Sequence, residues 1–81
     1  MENEIPSFPF IKVSNSSNID GYQYNPETEE LLVIFKPYRG YVYRSVPIDT
    51  YSELCAAESK GKFINSNIKN VYQFERLSSV E

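Results

Sequence analysis

Leu31-Leu32-Val33-Ile34-Phe35 decides the fold. These five consecutive aliphatic and aromatic residues form a strongly β-prone run. It is bracketed by Asn25-Pro26-Glu27-Thr28 and by Lys36-Pro37-Tyr38-Arg39-Gly40, both with turn chemistry. Working outward, Ile19 to Tyr24 reads as the strand before it. Tyr41-Val42-Tyr43-Arg44 reads as the strand after it, with alternating character. Two successive hairpins make an antiparallel meander. A polar turn, Ser14-Asn15-Ser16-Ser17-Asn18, leads into it.

Beyond the meander the periodicity changes. Val46-Pro47 closes the sheet, and Pro47 suits a first helical turn. Ile48, Tyr51, Leu54 and Cys55 recur at three- and four-residue spacing, which marks one face of a helix. Ser59-Lys60-Gly61-Lys62 interrupts it. Phe63, Ile64 and Ile68 then indicate a short second helix with Ser59 as its cap. Val71 to Leu77 reads as a last strand returning to the sheet. The expected fold is α+β, an antiparallel β-meander of three to four strands packed with one main helix and a short second helix. The expected organisation is an N-terminal arm over 1–13, a domain over 14–77 and a tail over 78–81.

The chain has 81 residues, enough for one domain. At that size folding buries only about 60% of the unfolded surface, so few large apolar side chains can be spared for a deep catalytic cavity. The net charge is −3, which argues against a non-specific attraction for nucleic-acid backbones and leaves room for a local basic site. One cysteine excludes an intrachain disulfide and suits a reducing compartment. Met1 to Glu4 lacks the basic start of a signal peptide, and no apolar run approaches a membrane span. A cytoplasmic location away from membranes is expected. With no His and a single Cys, most zinc sites and the Ser-His-Asp arrangement are excluded, and no cofactor is expected.

Few residues carry chemistry. Glu27, Glu29 and Glu30 read as a solvated hairpin tip, with no second carboxylate cluster to face them. Cys55, on the apolar helix face, reads as a small buried hydrophobe. Lys60 and Lys62 flank Gly61 near a helix start, where unpaired N–H groups favour anions. The alternative is a helix C-terminus closed by Gly61 in the left-handed region, with Lys60 balancing the dipole. Tyr41 and Tyr43 share one strand face, either as stacking platforms for a base or as core. Asn65, Asn67, Lys69 and Asn70 follow the basic segment, and asparagine amides suit nucleobase edges as well as they suit helix caps.

The order of these motifs resembles the KTSC domain, a module named after the C-terminus of some lysyl-tRNA synthetases. The resemblance runs through Ser16-Ser17-Asn18-Ile19, Gly21-Tyr22, Leu31, Val33, Phe35, Tyr41-Val42-Tyr43, Val46-Pro47, Ser59-Lys60-Gly61-Lys62-Phe63, Asn65 and Ile68-Lys69. It covers roughly Val13 to Leu77 and leaves out the N-terminal arm. It implies a small module that also exists free-standing, phages included, and for which the synthetase context suggests RNA binding. The expected function is non-enzymatic binding of a phosphate-bearing, nucleotide-type ligand. Lys60 and Lys62 would hold phosphate, Tyr41 or Tyr43 would stack a base, and Ser17, Asn18 or Asn67 would supply hydrogen bonds. A phage protein of this kind would sequester a nucleotide immune signal. An RNA-binding module is the first alternative, and a protein-interaction or assembly module using the arm is the second.

The arm holds Phe8, Phe10 and Ile11 between and after two prolines, which allow at best an edge or extended segment. Its own domain is the simplest cover for them, and a second subunit is the alternative. Burial of each such side chain contributes about 1.5–3 kcal/mol, so a homo-oligomer is expected. Light scattering at high micromolar concentration should return a dimer or larger; a monomer contradicts this reading.

Overall fold

The run that decides the fold is β3, Glu30–Phe35, in a computed structural model that describes residues 9–14, 16–37 and 39–77. It is the middle of five antiparallel strands in the order β1-β2-β3-β4-β5. β1 is Ile11–Lys12, β2 is Ile19–Asn25, β4 is Arg39–Tyr43 and β5 is Phe74–Arg76. Between β4 and β5 the chain forms α1, Ile48–Ala56, and α2, Lys60–Asn67. The α+β meander is as expected, with two adjustments. The arm contributes an extra edge strand, because Ile11 and Lys12 pair with Tyr22 and Gly21. The second helix, at eight residues, is nearly as long as the nine-residue first. Phe8 and the tail over 78–81 lie outside the described residues.

Alternation assigns the two faces of the sheet. Tyr22, Val33 and Tyr41 lie opposite one another across β2, β3 and β4, as do Tyr24, Leu31, Tyr43 and Phe74 across β2 to β5. This front face packs against Tyr51 and Leu54 of α1, Ile64 of α2 and Ile68 beyond it, forming a single core. The Tyr24 ring stacks on Tyr51 at 4.6 Å, and its hydroxyl donates to the Val46 carbonyl at 2.5 Å. A bulge between Ile19 and Gly21 resets the register of β2. Ile19 and Tyr22 are three residues apart and would face opposite ways in a regular strand; the extra residue turns both inward.

Gly21 is small for a reason of space. A Cβ there would fall 2.3 Å from the Phe10 ring and 2.7 Å from the Ile11 carbonyl oxygen. Phe10 is thus seated on its own domain, though still 46% exposed, and Ile11 packs against the core. The back face carries half-buried Leu32, Ile34 and Val42. At its rim Arg44 donates to Glu30 at 2.8 Å and also pairs with Glu75.

The Ser59–Lys62 segment joins the two helices and serves both. Ser59 is the N-cap of α2, its Oγ accepting from the Lys62 N–H at 3.2 Å, as expected. The Lys60 ammonium reaches back to the end of α1 and donates to the carbonyls of Cys55 and Ala57 at 3.0 and 2.6 Å. Gly61 has no positive φ. It lies buried inside α2, where a Cβ would meet Ser16 Oγ at 3.2 Å, so it permits close helix-to-turn packing.

The periodic face assigned to α1 is narrower than the sequence spacing implies. Tyr51 and Leu54 are buried, whereas Ile48 is 46% exposed and Cys55 is also exposed. The reading of Cys55 as a buried hydrophobe is therefore corrected: a helix on the rim of a small sheet buries a stripe about one residue wide per turn. Leu54→Ala should cost about 2–5 kcal/mol in urea unfolding. Ile48→Ala, on the same nominal face, should stay within about 1 kcal/mol of the parent. Equal losses would mean that α1 is rotated relative to this packing.

Candidate functional site

The helices leave one corner of the front face open. There Phe35 ends β3, Tyr41 and Tyr43 lie on β4, and Phe74 begins β5. Together with Asn65 of α2 and with Lys69 and Asn70 after it, they line a concavity of about 370 Å³. The rim is completed by Asn18, Lys36 and Arg39. That volume lies at the small end of ligand sites, the scale of one nucleotide.

The floor is aromatic. Tyr41 meets Phe35 edge-on at 5.4 Å, lies near-parallel to Tyr43 at 6.4 Å and tilts against Phe74 at 5.4 Å. Tyr43 is only 2% exposed, so it supports the floor, while Tyr41 is half-buried and Phe74 is 53% exposed. The two tyrosines therefore divide the roles that alternation left open: Tyr43 is core, and Tyr41 also presents surface to the cavity. Burial, and secondarily the neighbouring Tyr41, push the Tyr43 phenol up to about 12.

The walls are basic and amide-rich. Lys36 Nζ donates to the Ser16 carbonyl at 2.8 Å, which holds its stem across the rim. Lys69 Nζ sits 5.6 Å from the centre of the Phe35 ring, a cation–π arrangement. The Arg39 guanidinium makes no ion pair among the described residues. Among the described residues, no carboxylate lines the cavity. In a chain of net charge −3, this is a local reversal of sign. Asn70 adopts φ 71°, a left-handed conformation that asparagine tolerates well, and so ends the turn after α2 at the cavity wall.

A second groove, about 390 Å³, adjoins the first through Asn18 and Asn65, which line both. It contains Ser17, Lys60 and Lys62, and also Glu58. Its polar groups are partly engaged already: Ser59 caps α2, Lys60 holds the end of α1, and Ser16 Oγ accepts from the N–H groups of Asn18 and Ile19 at 3.1 Å. Of the residues singled out from sequence, Asn18, Tyr41, Tyr43, Asn65, Lys69 and Asn70 meet in the first cavity, while Ser17, Asn18, Lys60, Lys62 and Asn65 meet in the second. Asn67 lines neither, and its amide donates to the Phe63 carbonyl at 3.4 Å. Lys36, Arg39 and Phe74 escaped sequence reasoning as site residues. The available signal was the pair of cations flanking the β3–β4 turn, at the end of the sheet nearest Asn65 and Lys69.

Among the described residues, no group of His, Cys, Asp or Glu side chains could hold a metal ion. The other perturbed groups lie in the core. Burial pushes Tyr22 up to about 12 and raises Tyr51, and both phenols are further raised by the Cys55 thiol beside them. Tyr24 is raised by burial and by Glu29. What the open corner offers chemically is a flat aromatic surface, positive charge and amide hydrogen bonding.

Known proteins resemble this chain over most of its length. The KTSC domain family model matches residues 15–72. A lysine–tRNA ligase from Nostoc sp. is 35% identical over 75 residues, covering 93% of this chain and 13% of the ligase. A protein from Tsukamurella paurometabola is 37% identical over 54 residues, 67% of this chain and 81% of that one. The crystal structure of a KTSC domain protein from Yersinia pestis superposes with a TM-score of 0.79 at 29% identity, over 85% of this chain and 96% of that one. The chain spans about an eighth of the ligase it matches.

The buried phenols make stability sensitive to alkali. Tyr22 and Tyr43 have folded values of about 12, above the usual value near 10, so folding favours their neutral forms. Their contribution is complete below about pH 10 and is lost as the pH rises through about 12. The urea midpoint should fall between pH 9 and pH 11.5, and less steeply in Tyr43→Phe. A flat midpoint across that range contradicts the assignment.

Proposed function

The chain belongs to the KTSC domain family, and we propose that its open corner binds a phosphate-bearing, nucleotide-type ligand without turning it over. The observation that carries this reading is the composition of the first cavity: among the described residues, an aromatic floor, three cations, three amides and no carboxylate. A phosphate monoester carries about −1.5 to −2 charges, which Lys36, Arg39 and Lys69 together can neutralise. Tyr41 and Phe74 offer faces for a planar heterocycle, a contact worth about 1–3 kcal/mol per base. The acidic remainder of the surface disfavours tracking a long polyanion and leaves the basic corner as the place where an anion settles. Held without chemistry, such a ligand would be sequestered.

The adjoining groove extends the same reading. Lys62, and Lys60 to the extent that it can leave the α1 carbonyls, would meet a further phosphate. A single-stranded RNA segment is the second reading. What favours it is that the matched lysine–tRNA ligase is named for a reaction on an RNA, and that one exposed nucleotide would fit the same cavity. The two differ in salt response, shallow for a small ligand and steep for a chain that contacts several phosphates.

Calorimetry against a mixture of nucleoside monophosphates should show binding, which Arg39→Ala weakens at least tenfold with an unchanged circular-dichroism spectrum. Lys62→Ala should weaken it less. The nucleotides should be recovered intact by mass spectrometry. Binding that ignores Arg39 but is lost in Lys62→Ala would move the site to the second groove, and the absence of any binding at millimolar ligand would remove the reading.

A further inference from the structure

Among the described residues, asparagine amides divide into two groups. Off the cavity they are engaged: Asn25 Oδ1 accepts from the Glu27 N–H at 2.9 Å, and Asn67 Nδ2 donates to the Phe63 carbonyl. On the cavity they are not. Among the described residues, the amides of Asn18, Asn65 and Asn70 make no hydrogen bond to the protein, although each comes from a different part of the chain. Asn18 precedes β2, Asn65 lies within α2, and Asn70 ends the following turn. All three are exposed, so their donors and acceptors face solvent and are free to meet a ligand in the cavity.

We infer that Asn18, Asn65 and Asn70 read the edge of a nucleobase lying on the Tyr41 floor, and that the base they match is adenine. This rests on the nucleotide reading of the same cavity and assigns its specificity. An asparagine amide presents one acceptor and a pair of donors side by side. Adenine presents N7, an acceptor, beside its N6 amino donor, so one amide satisfies both. Guanine presents two acceptors, N7 and O6, at the corresponding edge, which opposes the amide oxygen. Cytosine offers a comparable pair, N3 and its amino group, on a single smaller ring that covers less of the Tyr41 and Phe74 surface. The cations remain for the phosphate, which lies away from the base edge.

The backbone permits a clean test. Asn70 has φ 71°, which glycine adopts freely, so Asn70→Gly removes the amide and keeps the turn. Asn65 is exposed within α2, where alanine is a better helix former. Calorimetry would compare adenosine monophosphate, guanosine monophosphate and ribose 5-phosphate, the last a base-free probe of the phosphate contacts. Adenosine monophosphate should bind at least tenfold more tightly than either of the others. Asn70→Gly and Asn65→Ala should each weaken it about tenfold while leaving ribose 5-phosphate within twofold of the parent. If guanosine monophosphate binds as well, or ribose 5-phosphate matches both, base reading is overturned and the phosphate site survives. If both variants weaken ribose 5-phosphate equally, the amides act on the phosphate and the inference is overturned. If none of the three binds at millimolar concentration, this inference falls together with the reading it rests on.

Discussion

Two short helices must cover one face of a five-stranded sheet, and they are too small to do it completely. A nine-residue helix is about 14 Å long and an eight-residue one about 12 Å, while a seven-residue strand runs about 23 Å. Tyr51, Leu54, Ile64 and Ile68 therefore close over Tyr22, Tyr24, Leu31 and Val33 and complete a core, but they do not reach the corner where β3, β4 and β5 carry Phe35, Tyr41 and Phe74. The candidate site is that remainder. Its aromatic floor is continuous with the core beneath it, because Tyr43 belongs to both. Its cations and amides are supplied by the turns and the helix around it.

The same shortage of cover explains why wide side chains dominate the centre. Tyr22, Tyr24 and Tyr43 each fill more space than an aliphatic residue, and each is at most 2% exposed. Their hydroxyls are accommodated within the fold, as where Tyr24 bonds the Val46 carbonyl at the entry to α1. That hydrogen bond ties the end of the sheet to the start of the first helix. The Lys60 bonds to Cys55 and Ala57 then tie the end of the first helix to the start of the second. The position of α2, and with it the cavity wall, follows from this sequence of local ties.

Much of this was legible in the sequence. Leu31–Phe35 and its flanking turns fixed the meander, Pro47 marked the helix entry, and Ser59 was recognisable as a cap. The bulge at Ile19–Gly21 was not, because nothing in the residue types distinguishes a strand that inserts one residue from a regular one; only the burial of both Ile19 and Tyr22 reveals it. The prolines of the arm limited it to an edge or extended segment, and which two residues pair was hidden by so short a strand. For the site, composition located the tyrosines and the basic loop, and Asn18 was included. Lys36 and Arg39 were missed because cations in a hairpin turn are ordinarily solvated. Their meaning comes from where the turn lies in space, next to Asn65, Lys69 and Asn70, some thirty residues away in the chain.

On this reading the uncovered corner receives the base and its phosphate, and the adjoining groove meets only a further phosphate. The most direct measurement is a nitrogen-15 NMR titration of the whole chain with a mixture of nucleoside monophosphates. Amide shifts should concentrate at Phe35, Arg39, Tyr41, Asn65, Lys69, Asn70 and Phe74, with smaller ones at Ser59 to Lys62 and none at Leu32 or Val42 on the back face. Shifts confined to the Ser59–Lys62 junction or to the back of the sheet, with Tyr41 and Asn70 unmoved, would contradict it.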